Sequence, residues 1–296
     1  MRIDRESLTR YAALRLRTTA HATSLQQGDR RSPFLGRGVE FADYRPYDES
    51  DDIRLIDWNV YLRLGTALIR QFNEERSLSI GICLDTSASM DFGRPRKADH
   101  AAQLAAALAI VALAHRDPVT LCCFGGDRPV RARASNLEGL SELLHLLEHI
   151  EPGGRGDAYT QISSQLGTTR TDRLVLVSDL LVEDQRRESL LRLLAASSHQ
   201  PVVLHVLSSE ELQPDLRELY EVVDSETGDT LVVRDDRAAL EAYADHLRQW
   251  IDQIRTRCRT LGIRYVEAHT VTSVAELVQG ELRRSSLVEH AAGGDA

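Results

Sequence analysis

The sequence has few cysteines and lacks a net positive charge. The four cysteines, Cys83, Cys122, Cys123 and Cys258, show no spacing typical of a zinc or redox site. We therefore expect them to be small buried side chains in a reducing compartment. A net charge of -9 argues against nucleic-acid binding, which needs a clustered basic surface.

The sequence also lacks a long apolar run. Its most apolar stretch, 101–114, is shorter than the roughly 20 residues that a membrane-spanning helix requires, and it predicts a core helix instead. The first residues of the chain do not form the apolar segment of a signal peptide. We expect a cytoplasmic protein with no transmembrane segment.

Sequence motifs of common enzymes are missing as well. There is no Gly-x-Ser-x-Gly elbow, no Walker loop and no dinucleotide fingerprint. The sequence therefore gives no reason to expect an enzyme, and we expect a binding protein.

One short stretch contains candidate ligand-binding side chains. An apolar run over 80–84 ends at Asp85, and hydroxyl side chains follow at Ser87 and Ser89. A run this short, followed by a helical pattern, predicts a buried parallel strand that ends in a loop. These three side chains are then expected at the carboxyl edge of a sheet, where open α/β folds bind ligands.

The three side chains offer only oxygen ligands. Oxygen ligands suit Mg²⁺, with Mn²⁺ or Ca²⁺ as alternatives, and offer nothing to zinc or copper. The alternative is an ordinary strand-to-helix loop whose serines cap the next helix, since Asp and Ser are common in such loops.

Two later stretches complete a recognisable pattern. The Gly-rich loop 153–156 leads to Thr160 at the start of a short helix, and the apolar run 174–178 ends at Asp179. With the first stretch, they resemble the von Willebrand factor A fold and its metal-ion-dependent adhesion site. The resemblance implies that the hydroxyls bind the metal directly and the acids partly through water, with Asp157 as an alternative to Thr160. The implied metal site is Asp85, Ser87, Ser89, Thr160 and Asp179.

The order of elements predicts the fold class. Strands alternate with helices, which favours a doubly wound, mainly parallel sheet with helices on both faces. We expect an N-terminal segment, 1–76, with an amphipathic helix over 4–25 and an irregular or β part. An A-like domain follows over 77–285, with a hairpin inserted at 219–234 and a flexible tail at 286–296. Further apolar runs predicted as strands lie at 119–124, 130–134, 174–178, 201–207 and 263–268.

A second informative stretch precedes the metal pattern. Over 39–76, aromatic, acidic and arginine side chains alternate with neither a helical nor a strand period. The mixture predicts a compact segment held by Arg–carboxylate pairs and aromatic packing. It is either a structural collar or a docking surface. The candidate partner-binding residues are Tyr44, Arg45, Tyr47, Asp52, Arg54, Asp57 and Trp58.

This second stretch narrows the resemblance to one bacterial family. The family is the one catalogued as domain of unknown function 58, and the resemblance covers most of the chain. It implies that the protein is an adaptor or co-chaperone of a MoxR-type AAA+ ATPase. The residues that carry the resemblance are Glu40-Phe41, Tyr44-Arg45, Tyr47, Asp51-Asp52, Arg54, Ile56-Asp57-Trp58 and Arg70-Gln71-Phe72.

Two other functions compete with the metal-dependent binding module. Asp85-Thr86-Ser87 superficially resembles the nucleophile loop of haloacid-dehalogenase-like phosphatases, which are metal-dependent phosphohydrolases. That chemistry needs a second acid where this chain has Ser87. We also expect no lysine near the later acid strand, because 178–181 is followed only by Val182 and acids. Alternatively, the metal site is structural or vacant, and the 41–58 segment binds the partner.

Overall fold

The computed structural model describes two compact units. The larger unit contains Met1–Thr18 and Leu78–Ala296, and the smaller unit is Thr19–Ser77. The residues described are 1, 3–4, 9–16, 39–48, 51–74, 77–154, 156–166, 171–214, 220–223, 230–233, 237–285 and 287–290.

Strands and helices are numbered here along the chain. The strands are β1 (Leu14–Leu16), β2 (Val39–Pro46), β3 (Leu68–Glu74), β4 (Ile80–Asp85), β5 (Val119–Phe124), β6 (Val130–Ala134), β7 (Thr171–Ser178), β8 (Ser198–Leu207), β9 (Tyr220–Val223), β10 (Thr230–Val233), β11 (Arg264–His269) and β12 (Val288–His290). The helices are α1 (Trp58–Leu64), α2 (Lys97–Ala114), α3 (Leu140–His149), α4 (Ala158–Leu166), α5 (Asp184–Ser197), α6 (Ser209–Leu212), α7 (Arg237–Thr260), α8 (Val274–Gln279) and α9 (Glu281–Arg284).

A six-stranded sheet forms the centre of the larger unit. Its order is β11-β8-β7-β4-β5-β6, and all neighbours are parallel except the pair of β5 with the edge strand β6. After β4, the strands β5 and β6 are added on one side of the sheet. After β7, the strands β8 and β11 are added on the other side. The order therefore reverses between β4 and β7, and their carboxyl ends lie side by side at that switch point.

Helices cover both faces of this sheet. Ile82 and Leu84 of β4 pack into a cluster with apolar side chains of α2, whereas Cys83 packs into a second cluster with Leu191 of α5 and Ile254 of α7. Successive residues of a strand point to opposite faces, so β4 must be apolar throughout. The predicted mixed α/β fold with a mostly parallel, helix-flanked sheet is confirmed.

The helix α2 lies inside this unit. Within the described residues it is the one helix long and apolar enough to span a bilayer, and 83% of its 18 residues are buried inside the protein. The predicted core helix over 101–114 is confirmed. The four cysteines are likewise buried and unpaired, as expected.

Both ends of the chain differ from the prediction. In place of a helix over 4–25, Thr9–Ala13 forms a short 3₁₀ helix and β1 follows, while the remainder of that range is described only at residue 4. The predicted tail at 286–296 contains β12, which pairs antiparallel with β1. Leu14 and Leu16 alternate with Arg15, which is a strand period, and both leucines are buried in the larger unit.

The smaller unit is built on a two-stranded sheet. β2 pairs antiparallel with β3, with a bulge between Phe41 and Asp43. α1 begins after Asp57, whose carboxylate accepts hydrogen bonds from the backbone N–H groups of Asn59 and Val60, and ends at Gly65 with φ 69°.

In the larger unit, β9 and β10 form the hairpin predicted at 219–234, and its predicted turn lies outside the described residues.

Candidate functional site

The loop after β4 is held in place by the neighbouring strand. The backbone N–H and the hydroxyl of Thr86 both donate to the Phe124 carbonyl oxygen, each at 2.7 Å. This contact directs the following residues across the carboxyl end of the sheet. There the Ser87 N–H donates to Asp85 Oδ1 at 2.9 Å, and the Oγ atoms of Ser87 and Ser89 lie 3.0 Å apart. Asp85, Ser87 and Ser89 are thus brought together.

The spacing of the two hydroxyls fits a divalent cation. Oxygen ligands about 2.05 Å from an octahedral Mg²⁺ lie about 2.9 Å apart when they occupy neighbouring positions. Ser87 Oγ and Ser89 Oγ share a hydrogen bond at 3.0 Å, and this distance is also close to the separation of neighbouring Mg²⁺ ligands. The donor set of one carboxylate and two hydroxyls is also a set of hard ligands, so the residues present fit Mg²⁺ or Mn²⁺.

Asp85 is a buried carboxylate with two hydrogen bonds. Its Oδ2 accepts the Ser178 hydroxyl at 2.5 Å, and its side chain lies almost wholly inside the protein. Burial, with a further contribution from the charge of Asp179, raises the pKa of Asp85 to about 6, although the bonds from Ser178 and Ser87 oppose the shift. The ionised form is therefore costly in the metal-free protein.

Asp179 lies at the end of β7, but its carboxylate is engaged. Oδ1 accepts the Leu181 N–H at 3.1 Å, and Oδ2 accepts Lys97 Nζ at 2.7 Å. Lys97 is fully buried and also donates to Glu211 Oε1 at 2.5 Å. Lys97 and Glu211 are functional candidates that sequence reasoning missed.

A signal for Lys97 was present in the composition. It is the single lysine among 36 basic residues, and the other 35 are arginines. The predicted core helix over 101–114 begins four residues after it, and no role was assigned to Lys97 from the sequence. The structure places it against Asp179, so the expectation that no lysine lies near that acid is wrong. The sequence distance between the two residues hid the contact.

Thr160 lies in the first turn of α4, which follows the loop that contacts Thr86. Gly153 N–H donates to the Thr86 carbonyl oxygen at 2.8 Å, and the Gln161 side chain bonds the backbone of Gly125 and Gly126 at 2.7 and 2.8 Å. These contacts fix the start of α4 against the loop after β5. The exposed Thr160 donates its N–H to Asp157 Oδ2 at 2.9 Å, and the Thr160 hydroxyl also bonds Asp157 and lowers the pKa of that carboxyl.

Three of the five predicted ligands therefore converge, and the other two are engaged by protein groups. Asp85, Ser87 and Ser89 form the centre of the site, which we call the Asp85 site. The Asp179 carboxylate bonds Lys97, and Thr160 bonds Asp157. Among the described residues, no three His, Cys, Asp or Glu side chains converge as a metal centre of those types alone would require.

Gly125 is packed directly against the Asp85 site. Its φ is 91°, and a Cβ at this position would lie 2.7 Å from Ser87 N and 2.9 Å from Asp85 Oδ1. We expect Gly125→Ala to weaken Mg²⁺ binding and to lower the free energy of unfolding by about 2 kcal/mol, because it adds a clash to the strain of a positive φ.

The control for Gly125→Ala is Gly262→Ala. Gly262 also has a positive φ, 70°, but a Cβ there meets nothing within 4 Å. It should lower the free energy of unfolding by only about 1 kcal/mol and leave the metal response intact. Urea denaturation with and without Mg²⁺ measures both quantities. An equal loss of metal response in the two variants would contradict the assigned role of Gly125.

The predicted partner-binding residues of the smaller unit are largely paired with one another. Arg45 donates two hydrogen bonds to Asp51 at 2.5 and 2.6 Å, and Arg54 bonds Asp52 at 3.0 Å. Tyr44 Oη donates to Asp57 Oδ2 at 3.0 Å, and Asp57 caps α1. Tyr47 is half-buried, and Trp58 is half-exposed with its ring 5.9 Å from that of Tyr61.

The smaller unit also exposes apolar side chains, of which the sequence singled out only Trp58. Within this unit, the 3₁₀ turn before α1 and α1 itself present large side chains to solvent. They are Ile53, Leu55, Trp58, Tyr61, Leu62 and Leu64. An exposed apolar patch of this kind is typical of interaction surfaces.

Comparison with known proteins identifies a family and uncharacterized relatives. The sequence profile described as "Protein of unknown function DUF58" matches residues 43–250. Uncharacterized protein Mb1516 of Mycobacterium bovis and uncharacterized protein Rv1480 of Mycobacterium tuberculosis are each 26% identical to this chain over 209 residues. The match covers 68% of this chain and 65% of each relative, so it spans less than two thirds of their length.

Solved structures give only distant similarity. The conserved hypothetical protein BatB from Bacteroides thetaiotaomicron has a TM-score of 0.40 and 18% identity, covering 71% of this chain and 99% of that chain. An aerotolerance-related membrane protein from Bacteroides fragilis has a TM-score of 0.39 and 17% identity, covering 70% of this chain and 100% of that chain. At these TM-scores the similarity carries no argument about function.

Proposed function

This chain belongs to the DUF58 family, and we propose that it is a metal-dependent protein-binding module with a von Willebrand A-like, doubly wound fold. The observation that carries the proposal is the Asp85 site, where Ser87 Oγ and Ser89 Oγ lie 3.0 Å apart beside a buried carboxylate. Its position next to the switch point of the strand order supports the fold assignment, because doubly wound sheets bind ligands there.

The chain's own residues would act by holding a cation without neutralising it. Ser87 and Ser89 present neutral oxygens, and Asp85 supplies one negative charge. A divalent cation held by this set keeps net positive charge and can accept a carboxylate from another protein. Ser87 is half-buried, whereas Asp85 and Ser89 are buried, so Ser87 is the most solvent-accessible of the three. A partner's Asp or Glu side chain is therefore the ligand that this site recognises best.

The family resemblance suggests which protein that partner is. We propose a MoxR-type AAA+ ATPase or its client, with this chain as adaptor or co-chaperone in the cytoplasm and without an enzymatic activity of its own. This assignment rests on the resemblance carried by the segment before β4, and on the absence of enzyme motifs from the sequence.

A second surface is supported by its exposed apolar side chains. In the 41–58 segment of the smaller unit, Ile53, Leu55 and Trp58 are each more than half exposed. A partner could bind the 41–58 segment while the Asp85 site stays structural or vacant. The Arg–carboxylate pairs would then hold the segment in shape, and its apolar side chains would make the contact.

One observation favours the phosphohydrolase alternative, and two observations oppose it. Lys97 lies against Asp179, as a phosphatase lysine would lie near its acid. Lys97 is, however, fully buried between two carboxylates, where it does not reach solvent. The position two residues after Asp85 is still Ser87, which cannot protonate a leaving group as a carboxylic acid does.

Binding to a purified MoxR-type AAA+ ATPase from the same genome tests the proposal. We expect wild-type binding in Mg²⁺ that falls at least tenfold in EDTA and in the Ser87→Ala/Ser89→Ala variant. Tyr47→Ala/Asp52→Ala should bind normally, and the exposed Ser141→Ala is the matched control. Binding that ignores EDTA and the serines but depends on Tyr47 and Asp52 would move the function to the 41–58 segment. Biolayer interferometry measures all of these affinities.

A further inference from the structure

A buried cluster of three charges adjoins the Asp85 site, because its member Asp179 directly follows Ser178, which bonds Asp85. Lys97 Nζ is 2.7 Å from Asp179 Oδ2 and 2.5 Å from Glu211 Oε1, and the three side chains are 0%, 2% and 15% exposed, respectively. Charges are rarely buried this deeply unless each has a partner. One ammonium shared by two carboxylates leaves a net charge of about -1 for the cluster.

Each member of the cluster is held by a further contact. Lys97 is the first residue of α2, and its N–H donates to the Phe92 carbonyl oxygen at 2.8 Å. Glu211 completes a capping box, in which its Oε2 accepts the Ser208 N–H at 2.8 Å. Asp179 Oδ1 accepts the Leu181 N–H. The ammonium group therefore has a fixed position, unlike a solvated lysine.

The protonation state of Lys97 follows from its partners. Burial alone would lower the pKa of Lys97, but the charges and hydrogen bonds of Asp179 and Glu211 outweigh it and raise that pKa. Lys97 is therefore a permanent cation. A compact ammonium with three donors suits a position between two carboxylates. This matches its status as the single lysine in a chain with 35 arginines.

The cluster changes what the Asp85 site can offer a cation. The Ser178 hydroxyl donates to Asp85 Oδ2 at 2.5 Å and Asp179 is the next residue, so the carboxylate of Asp179 belongs to a residue bonded directly to a contact of the Asp85 site. A free Asp179 carboxylate would give the site a second anionic ligand and would bind the cation more tightly. Two carboxylates would also neutralise the cation, and a neutralised cation attracts a partner's carboxylate less.

We propose that Lys97 is a tethered cation that neutralises Asp179 and thereby sets the metal affinity of the Asp85 site. The proposal rests on the proposed metal site. Because Lys97 neutralises Asp179, Asp85 is the one uncompensated carboxylate of the site. Metal binding is then weaker, and the bound cation keeps the positive charge that an acidic partner recognises. Glu211 also affects the metal affinity, because its negative charge offsets part of the positive charge of Lys97.

Mn²⁺ titration followed by electron paramagnetic resonance at pH 8 tests this role. Lys97→Met should tighten Mn²⁺ binding roughly tenfold, because it removes a nearby positive charge and releases Asp179. Glu211→Gln should weaken Mn²⁺ binding several-fold, because Lys97 is then less compensated. The matched controls are Arg284→Met and Glu281→Gln, which remove the members of an exposed ion pair on α9 and should leave the affinity unchanged.

The outcomes separate this inference from the proposed function. If wild type and all variants bind no Mn²⁺, the proposed metal site fails and this inference fails with it. If folded Lys97→Met and Glu211→Gln bind Mn²⁺ as wild type does, the cluster is only structural and the inference alone is overturned. If Lys97→Met does not fold, Glu211→Gln decides, because weaker binding supports the tethered cation and unchanged binding overturns it.

Discussion

Replacing Asp85 with asparagine is expected to stabilise the metal-free protein and to remove its response to Mg²⁺. Burial raises the pKa of Asp85 to about 6, so the ionised carboxylate is held at a cost above that pH. The shift from about 3.8 to about 6 corresponds to about 3 kcal/mol. Asparagine removes this cost and loses about 1 kcal/mol of hydrogen bonding, which gives a net gain of about 2 kcal/mol at pH 7.5.

The pH dependence of this gain has a defined sign. The folded protein binds the Asp85 proton more tightly than the unfolded chain does, since the folded pKa is the higher one. As the pH falls from about 6 to about 4, wild type takes up this proton and loses the cost of the buried charge. The advantage of Asp85→Asn should therefore disappear over that range, and the variant should be slightly less stable than wild type at pH 4.

Urea denaturation in EDTA from pH 4 to pH 8 measures this prediction. The control is Asp252→Asn, because Asp252 lies on the surface of α7. Its difference from wild type should be small at every pH. Thermal denaturation with and without Mg²⁺ gives the second readout, and only Asp85→Asn should lose the upward shift. A less stable Asp85→Asn at pH 7.5 would show that the cost of the buried charge is smaller than the loss of its hydrogen bonds.

Replacing Leu287 with alanine is expected to destabilise the larger unit by about 2 to 5 kcal/mol. Leu287 is fully buried, its N–H donates to the Leu282 carbonyl oxygen at 2.8 Å, and its own carbonyl oxygen accepts Arg173 Nη1 at 3.0 Å. Truncation leaves a cavity beside β1 and β12, which only partly collapses.

The control for Leu287 is an exposed apolar residue. Val271 is 63% exposed, so Val271→Ala should change the free energy of unfolding by less than about 0.5 kcal/mol. Urea denaturation compares the two variants. A loss below about 1 kcal/mol for Leu287→Ala would mean that the segment after α9 behaves as the flexible tail that the sequence predicted.

The central sheet could be predicted from the sequence because its signals are local. The buried strand β5 and the edge strand β6 appear in the sequence as an apolar run and an alternating run, respectively, with the same bounds as in the structure. A parallel sheet covered on both faces needs continuous apolar strands, and such runs are visible without knowing their partners.

The ends of the chain could not be predicted in the same way. β1 and β12 have three residues each and lie at opposite ends of the sequence. Three residues carry almost no periodic signal, and the pairing partner of each strand lies at the other end of the chain. The apolar positions of the first segment therefore matched a helical spacing that the structure does not adopt over Leu14–Leu16.

The candidate site likewise has one part that could be predicted from the sequence and one part that could not. Asp85, Ser87 and Ser89 lie within five residues of one another at the end of one strand, so their proximity was predictable. Lys97 is separated by 82 residues from Asp179 and by 114 from Glu211. No local pattern distinguishes a lysine that pairs inside the protein from one that is solvated at a helix start.

The most direct test of the proposed function is the stoichiometry of Mn²⁺ binding. Electron paramagnetic resonance of Mn²⁺ titrated into wild type and into Ser87→Ala/Ser89→Ala would count the ions bound and show whether Mg²⁺ displaces them. We predict one Mn²⁺ per wild-type chain, displaced by Mg²⁺, and none bound by the serine variant. Wild-type protein that binds no Mn²⁺, or a serine variant that binds it equally well, would contradict a metal site at Asp85, Ser87 and Ser89.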